Sequence, residues 1–372
     1  MHHGLLLHLI PGIGRTLYWR LIDCFGSPED VFHATQDELI AVNGLSGSLA
    51  LAILSAPKTI DIDAERALIE RYDARIVSSC DSALYPATLL RMNPQPPFLY
   101  MRGSLTDNDE FPITVVGSRS CTPYGKMMCE RIVAGLVDYG FTIVSGAATG
   151  IDTYAHRAAL KHGGRSIAVL PSGLGAIKSS RTRHLVEEIV SNGVVYSEYP
   201  MKRHEDRSTY SARNSILAGM GIATVVIEAS LKSGSLMTAY FAIEENRDVF
   251  AVPGDVTRRT GRGCNLLIKQ GARLIESADD IVEDLQQTIG KSFSTRRDTS
   301  DHQQKNEINP LKGLTGTEQH LYDIISKSPV SFEDLILMLG TEKIGMLSTS
   351  LLQLEMKGLV RQLPGNVYTI ER

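Results

Sequence analysis

Residues 113–125 have the sequence ITVVGSRSCTPYG, and this stretch decides the fold. Its first four residues are mostly β-branched, which favours a strand. A glycine-containing turn follows, and Thr122 with Pro123 then provides a favoured start for a helix. A strand that passes through a short turn into a helix is the first half of a βαβ unit. The turn leaves free backbone N–H groups and the side chain of Arg119 at the end of the strand, which favours the binding of an anion.

The same alternation continues to about residue 286. Seven short β-branched runs occur in this region, and helix-length amphipathic segments separate nearly all of them. The pattern predicts an α/β fold with a doubly wound, Rossmann-like parallel sheet. The predicted strands are 113–116, 142–144, 166–170, 194–196, 223–227, 249–252 and 272–275.

The N-terminal region, residues 1–75, is predicted to be a separate helical domain that precedes a core at 76–286. Two similar units, 9–14 and 41–47, each place a glycine-containing turn between apolar, helix-like segments. This is the pattern of helix-hairpin-helix and SAM-like domains. The turns can direct backbone N–H groups at a phosphate, or their glycines can only allow two helices to cross closely. Both alternatives stay open at this point.

The C-terminal region is predicted to contain a linker and a winged helix. Residues 287–312 are polar and aperiodic, which indicates a linker. Residues 313–372 contain three helical segments, near 317–327, 331–339 and 344–357, followed by a hairpin of strands 359–363 and 367–370. Three helices and a hairpin are typical of a winged helix. Its third helix lacks the usual basic face, so a protein contact and a weak DNA contact are equally compatible with it.

The composition is that of an ordinary globular protein, with 43% hydrophobic and 22% charged residues. No apolar run approaches the ~20 residues that a membrane span needs, and no signal-peptide pattern is present. The five cysteines form no CxxC pair. We therefore expect reduced thiols in a cytoplasmic protein, without a membrane span, a metal or another cofactor.

Positive charge is concentrated in the middle of the chain. The overall net charge is −4, but residues 1–110 carry −6, residues 111–286 carry +2, and the remainder is neutral. The cations of the middle region are bunched in segments that follow the predicted strands. Because the carboxyl ends of parallel strands meet at one edge, these segments are expected to form a positive rim for a run of phosphates.

The candidate binding residues come from these segments. They combine backbone and hydroxyl donors with the nearby basic side chains. The predicted DNA- or phosphate-binding set is Gly117, Ser118, Arg119, Ser145, Gly146, Lys178, Arg181, Arg183, Arg213, Asn214, Ser233 and Lys269.

Patterns typical of enzymes are missing from the sequence. It contains no G-x-G-x-x-G, no P-loop motif and no HExxH. Asp152 is interpreted as a helix cap or as a holder of the neighbouring loop, with a general base as the lesser alternative. His156, flanked by Ala155 and Ala158, is interpreted as a packed side chain rather than a catalyst. The predicted core therefore binds phosphates and catalyses no reaction.

The motif set of the core resembles the DNA-processing protein A (DprA/Smf) family. The matching segments run in order through about 111–275. They are Val116-Gly117-Ser118-Arg119, Ser145-Gly146-Ala147-x-x-Gly150-Ile151-Asp152 with Ala155-His156, Ser197-Glu198-Tyr199-Pro200, Ala212-Arg213-Asn214, Glu228-Ala229 with Ser233-Gly234-Ser235-Leu236-x-Thr238-Ala239, and Ala251-Val252-Pro253-Gly254. The three-part layout is also similar to that of the family.

The resemblance implies a non-enzymatic role. Proteins of this family bind and protect single-stranded DNA during natural transformation, load the RecA recombinase onto it, and form homodimers through the Rossmann-like core. It also implies a positive pocket, which at the matching positions would include Gly117, Ser118, Arg119, Ser145, Gly146, Arg213 and Asn214.

Two departures from the family pattern concern this pocket. Lys178-Ser179 and Thr182 replace a usual Tyr-Pro and Asn, and Ser215 replaces the second arginine of Arg-Asn-Arg. We expect Lys178, Arg181 and Arg183 to compensate for the lost cation.

Two other functions are compatible with parts of the sequence. The segment Ser233-Gly234-Ser235-Leu236-x-Thr238 resembles the phosphate-gripping loop of enzymes that hydrolyse nucleoside monophosphates, for which Glu228 or Glu244 would be the acid. A scaffold whose terminal modules hold protein partners is the third possibility, and it predicts no salt-dependent binding of oligonucleotides.

Overall fold

The computed structural model describes residues 2–80, 84–289, 315–326, 330–339, 344–356, 359–363 and 366–370. Residues 1–296 form one compact unit, and residues 297–372 form another. The predicted linker, 287–312, lies outside the described residues except for its first three positions, which belong to the end of a helix. None of the described helices is long and apolar enough to cross a membrane.

The N-terminal helices pack around an apolar cluster that includes Leu7, Leu21 and Ile53. The first predicted turn joins α1 to α2, where Gly12 adopts a φ of +98° that favours glycine. The second joins α4 to α5, whose first turn is capped by Ser46. The helices are α1 (His2–Leu9), α2 (Arg15–Phe25), α3 (Pro28–His33), α4 (Gln36–Ile40), α5 (Gly47–Thr59) and α6 (Ile62–Arg71).

The core contains a sheet of nine strands within the described residues, in the order β1-β2-β6-β5-β4-β3-β7-β8-β9. All seven predicted strands are confirmed as β3 to β9, and they are mutually parallel. The sheet is extended by β1 and β2, which pair antiparallel and make it mixed rather than wholly parallel. The strands are β1 (Arg75–Ser78), β2 (Phe98–Gly103), β3 (Pro112–Val116), β4 (Thr142–Ser145), β5 (Ser166–Leu170), β6 (Gly193–Ser197), β7 (Ala223–Val226), β8 (Asp248–Ala251) and β9 (Arg273–Leu274).

Helices cover both faces of this sheet, which confirms the doubly wound Rossmann-like architecture. One face packs against α7, α8 and α13, and the other against α10, α11 and α12. The helices of the core are α7 (Pro123–Asp138), α8 (Ile151–Lys161), α9 (Ser180–Val190), α10 (Arg207–Met220), α11 (Gly234–Glu244), α12 (Arg262–Lys269) and α13 (Ala278–Ile289).

The strand order places a binding crevice at a defined position. The chain leaves β3 toward β4 on one side, whereas β7 pairs with β3 on the other side. Ligands of open α/β sheets bind outside the carboxyl ends of the strands at such a switch point. The segments that follow β3 and β7 therefore flank the crevice, and those that follow the other parallel strands line the same edge.

The C-terminal unit has the predicted winged-helix arrangement. Its apolar core includes Leu321, Leu335, Leu351 and Val360. The predicted hairpin is confirmed, although the first two positions of its turn, 364 and 365, lie outside the described residues. The elements are α14 (Gly316–Ile325), β10 (Val330–Ser331), α15 (Phe332–Leu339), α16 (Ile344–Met356), β11 (Val360–Leu363) and β12 (Val367–Ile370), with the strands in the order β10-β12-β11.

Candidate nucleic-acid interface

A cleft of about 570 Å³ opens at the switch point. The turn after β3 forms one wall, and the segment after β7 with the start of α11 forms the opposite wall. Side chains of α10 form its floor. Of the predicted residues, those that line it are Gly117, Ser118, Arg119, Arg213, Asn214 and Ser233.

The turn after β3 is held by Glu228, two residues after the end of β7. The backbone N–H of Ser118 donates to the Glu228 carbonyl (2.7 Å), and the backbone N–H of Thr122 donates to its carboxylate (2.8 Å). Thr122 in turn caps α7 through the N–H of Gly125. Because these bonds fix both ends of the turn, Arg119 stands exposed at its tip.

Arg119 lies against an aromatic ring on α10. Its guanidinium carbon is 4.9 Å from the centroid of the Tyr210 ring, and that of Arg213 is 5.6 Å from the same centroid. Both distances are within the range of cation–π attraction. Within the part of the chain that the structure describes, Arg119 forms no ion pair, so its charge is available to a ligand.

Arg213 is a buried structural cation, only 4% exposed. It donates to the carbonyl oxygens of Gly146 and Val169, the latter at 2.9 Å. Asp152, itself buried, lies beside it and accepts the backbone N–H groups of Gly146 and Ala148. Burial raises the pKa of Asp152, and the Arg213 charge and these hydrogen bonds oppose that rise. Asp152 therefore holds the loop after β4, as one of the sequence alternatives expected.

His156 is fully buried and supports the same loop. Its Nε2 accepts the backbone N–H of Ala147 (3.2 Å), so the proton lies on Nδ1, which donates to Ser166 Oγ (2.7 Å). Ala147 has a φ of +53°, an unfavourable conformation that this hydrogen bond helps to hold. Burial, with the nearby Arg213 charge, lowers the pKa of His156 to about 3. The interpretation of a packed histidine agrees with this environment.

A second, smaller cleft of about 250 Å³ adjoins the first. The two share Arg119, Ala148 and Tyr210, so the Arg119–Tyr210 pair stands at their boundary. Gly146 and Lys178 line this second cleft. The two clefts together form one groove along the carboxyl edge of the sheet.

Other predicted residues lie outside the groove or use their polar atoms elsewhere. The hydroxyl of Ser145 donates to the Val115 carbonyl inside the sheet (2.7 Å), so it cannot donate to a ligand. Arg181 and Arg183 are exposed on α9 and do not line the groove. Lys269 ends α12, which runs back from the carboxyl edge to the start of β9. It therefore lies at the opposite edge of the sheet, and the expectation that it shares the rim is corrected.

The groove residues outside the predicted set include one aromatic side chain and two cations, Tyr210, Lys232 and Arg259. Lys232 and Arg259 lie in segments that follow β7 and β8. The carboxyl ends of parallel strands meet at one edge of the sheet, so the argument that predicts Arg119 at this edge also predicts these two cations there. Among the described residues, neither cation forms an ion pair.

No group of three or more histidine, cysteine, aspartate or glutamate side chains in the described ranges is placed to hold a metal ion.

Comparison with known proteins gives a consistent result for the core. A family model described as DNA recombination-mediator protein A matches residues 76–286. Protein Smf of Synechocystis is 31% identical over 96% of both chains. This chain belongs to the DprA/Smf family. A second model, the DprA winged helix domain, matches residues 307–366.

Other DprA/Smf relatives align mainly through the core. DNA processing protein DprA of Streptococcus pneumoniae is 40% identical over 54% of this chain and 71% of its own. Its X-ray structure covers 76% of this chain and 97% of that one, with 31% identity and a TM-score of 0.66. A structure of DNA processing protein A from Helicobacter pylori, described for its single-stranded DNA binding mode, covers 58% and 96% of the two chains. Its identity is 25% and its TM-score 0.51.

This chain departs from the DprA/Smf pattern at Ser215, where the pattern has an arginine. The cation beside this position comes instead from the N-terminal helices. The guanidinium of Arg15, at the start of α2, donates to Ser215 Oγ (3.1 Å). An arginine from the N-terminal helices thus lies beside the position where the family pattern has one on α10. No observation tests whether Lys178, Arg181 and Arg183 compensate for the loss, and that expectation stays a prediction.

Proposed function

We propose that this chain is a single-stranded DNA-binding protein that holds the phosphates of a strand along the groove. The observation that carries the proposal is a set of exposed cations, Arg119, Lys232 and Arg259, around a cleft at the sheet's switch point. The cleft is also lined by Ser233 and Gly234, where α11 begins with its N–H groups and the positive end of its dipole. Several separated cations suit a run of phosphates better than a single one.

The names of the relatives support the same class of ligand. Those from Streptococcus pneumoniae and Bacillus subtilis are called DNA processing protein DprA, and the Helicobacter pylori structure concerns single-stranded DNA. A single strand also fits the divided groove, because its backbone can bend over the Arg119–Tyr210 boundary and its bases can stack on the ring.

The hydrogen bonds that Asp152, Glu228 and His156 already form favour binding without catalysis. Asp152 lies against Arg213 and two backbone N–H groups, and Glu228 accepts the Thr122 N–H. His156 is buried and engaged at both ring nitrogens. A general base needs a free acceptor within reach of the substrate; backbone N–H groups already occupy part of the acceptor capacity of the two carboxylates, and both ring nitrogens of His156 are engaged.

The nucleoside-monophosphate hydrolase is the less favoured alternative. Its proposed phosphate loop does line the cleft, through Ser233 and Gly234. Its candidate acids do not: Glu228 lies behind the turn after β3, and Glu244 ends α11, about 16 Å along the helix from Ser233. A hydrolase would need an acid close to the glycosidic bond.

We further propose the cellular role that the family resemblance implies. The chain would protect incoming single-stranded DNA in the cytoplasm during natural transformation and homologous recombination, load RecA onto it, and act as a homodimer through the Rossmann-like core. The matches of both family models, to the core and to the winged helix, support this assignment.

Comparative titration tests the binding proposal. Fluorescein-labelled single- and double-stranded oligonucleotides of equal length are titrated with the protein at 50, 100 and 200 mM salt, and anisotropy is recorded. We expect tighter binding of the single strand and a steep loss of affinity with salt, because phosphate contacts release counterions. Absence of salt-dependent binding to either oligonucleotide would contradict the proposal. Release of free base from nucleoside monophosphates by the same preparation would instead support the hydrolase.

A further inference from the structure

The side chain of Arg15 crosses from the N-terminal helices into the core and is almost completely buried there, with 11% of it exposed. Its Nε donates to the carboxylate of Glu198, which is 8% exposed, at 2.5 Å. Its Nη2 donates to the carbonyl oxygen of Ala212 (2.8 Å), and its Nη1 to Ser215 Oγ (3.1 Å). One guanidinium thus joins the segment after β6 to the middle of α10.

The first glycine turn puts Arg15 in this position. Gly12, with its positive φ, reverses the chain after α1, and Gly14 precedes α2 in an extended conformation. Arg15 is therefore the first residue of α2, beside a cavity of about 690 Å³ that the turn forms with the segment after β6. The turn faces the core, so this first glycine unit serves docking between the N-terminal helices and the sheet.

Arg15 forms hydrogen bonds with α10, the helix that forms the floor of the groove. Ala212 lies between Tyr210, at the boundary of the two clefts, and Arg213, which holds the loop after β4. Ser215 Oγ also donates to the Ala212 carbonyl (2.7 Å), so the guanidinium and the hydroxyl meet at the same oxygen. A buried, charge-assisted network of this kind fixes position strongly, since breaking it leaves a charge without a partner.

We infer that Arg15 is a positioning residue of the DNA groove: it fixes α10, and through α10 the ring of Tyr210 and the guanidinium of Arg213, from the N-terminal helices. The effect of Arg15 on DNA binding rests on the proposed function, whereas its effect on the position of α10 does not. Arg15 does not line either cleft, and so it acts without a phosphate contact of its own.

The test uses the full chain and two double variants. Arg15→Met with Glu198→Gln removes both charges, so that no uncompensated carboxylate is left buried. Arg15→Met with Ser215→Arg returns a guanidinium from α10 itself, next to Glu198. Anisotropy titration of a labelled oligo-dT is expected to show about tenfold weaker binding for the first variant, the size of one lost charged hydrogen bond, and recovery to within about threefold for the second.

A salt series separates positioning from direct contact. Loss of a phosphate contact lowers the slope of log K against log [salt] by about one, whereas a displaced α10 leaves the slope unchanged. An unchanged slope is expected for the charge-free variant. A slope lowered by about one would overturn the inference, as would wild-type affinity in that variant or a failure of Ser215→Arg to restore binding.

Trp19 provides a matched control. It lies one turn after Arg15 on α2 and also anchors that helix to the core, but its indole N–H donates to the Gln95 carbonyl (2.7 Å) and not to α10. Trp19→Phe is expected to bind DNA as the wild type does. Equal weakening by Trp19→Phe would mean that loose docking of the N-terminal helices, rather than the position of α10, is responsible.

Hydrogen exchange without DNA keeps the inference testable if the proposed function fails. Amides in the first half of α10 are expected to exchange about tenfold faster in the charge-free variant than in the wild type. If the wild type binds no oligonucleotide, the proposed function fails and this measurement still decides the role of Arg15. Unchanged exchange in α10 would overturn the inference even if the wild type binds DNA.

Discussion

The guanidinium of Arg119 lies 4.9 Å from the centre of the Tyr210 ring, on the boundary between the two clefts of the groove. Arg119 comes from the wall that the turn after β3 forms, and Tyr210 comes from α10, which forms the floor. Their contact therefore couples the exposed cation to the helix that carries the buried Arg213. A strand that follows the groove has to pass this pair, and so the pair is the place where single strands and duplexes should be distinguished.

Replacement of Tyr210 tests this boundary. Tyr210→Ala is expected to weaken binding of single-stranded DNA by about 1–2 kcal/mol, because a stacking surface for a base and the support of Arg119 are both lost. Tyr210→Phe keeps the ring and should bind within about twofold of the wild type. Anisotropy titration checks both variants. Equal losses in the two would show that the hydroxyl, and not the ring, matters.

Arg119 and Lys269 offer a matched pair of exposed cations at opposite edges of the sheet. Arg119→Ala is expected to cost very roughly 1–3 kcal/mol of binding free energy and to lower the salt slope by about one, as for a lost phosphate contact. Lys269→Ala removes the same charge away from the groove and should leave affinity and slope unchanged. A loss of the same size at Lys269 would show that total charge, rather than the groove, drives binding.

The sheet could be predicted because its central strands are buried on both faces. Such strands form nearly continuous apolar runs, and six of the seven predicted runs match the largely buried strands β3 to β8, while the seventh matches the exposed edge strand β9. The two antiparallel strands were not predicted. The first, Arg75–Ser78, has only four residues, and the second, Phe98–Gly103, directly follows a proline-rich segment that favours a loop. Their existence depends on pairing with each other and with β6, which no local pattern shows.

The groove could be predicted only in part, because topology places segments but does not decide which side chains face solvent. The position of Arg119 follows from the strand–turn–helix pattern alone. The burial of Arg213 does not, since its partners Gly146, Val169 and Asp152 are far from it in the sequence. The contact of Arg15 with Ser215 spans 200 residues, and no motif joins the two.

Gly150 is expected to be essential for the shape of the groove. It has a φ of +89°, and a Cβ there would overlap the backbone carbonyls of Ser118 and Arg119. Gly150→Ala should therefore destabilise the fold by about 2–4 kcal/mol, from the left-handed backbone and the overlap together, and displace Arg119 so that DNA binding weakens. Urea unfolding and anisotropy titration measure the two effects.

Gly163 is the control for Gly150. It also has a positive φ, +70°, but a Cβ there meets open space. Gly163→Ala should cost only about 1 kcal/mol of stability, the backbone cost alone, and leave DNA binding unchanged. If the two variants lose the same stability and binding, the contact between Gly150 and the turn after β3 has no special role.

His156 is expected to make the stability of the core depend on pH. Its pKa falls from an ordinary 6.5 to about 3 on folding, because burial disfavours the charged ring. Between these two values the unfolded chain binds a proton that the folded chain does not, so the contribution is complete above pH 6.5 and is lost as the pH falls. The loss should approach about 1.4 kcal/mol per pH unit within the window.

The comparison with His156→Gln isolates this contribution from the titration of other groups. The amide can still accept the Ala147 N–H and donate to Ser166 Oγ, but it takes up no proton. In urea unfolding at pH 7, 6, 5 and 4, the wild type should lose stability faster than the variant below pH 6, with the gap growing by about 1 kcal/mol per pH unit. Parallel curves would mean that His156 gains a proton in the folded state. The loop after β4 would then have to open to water, and the groove beside it would change shape in the same pH range.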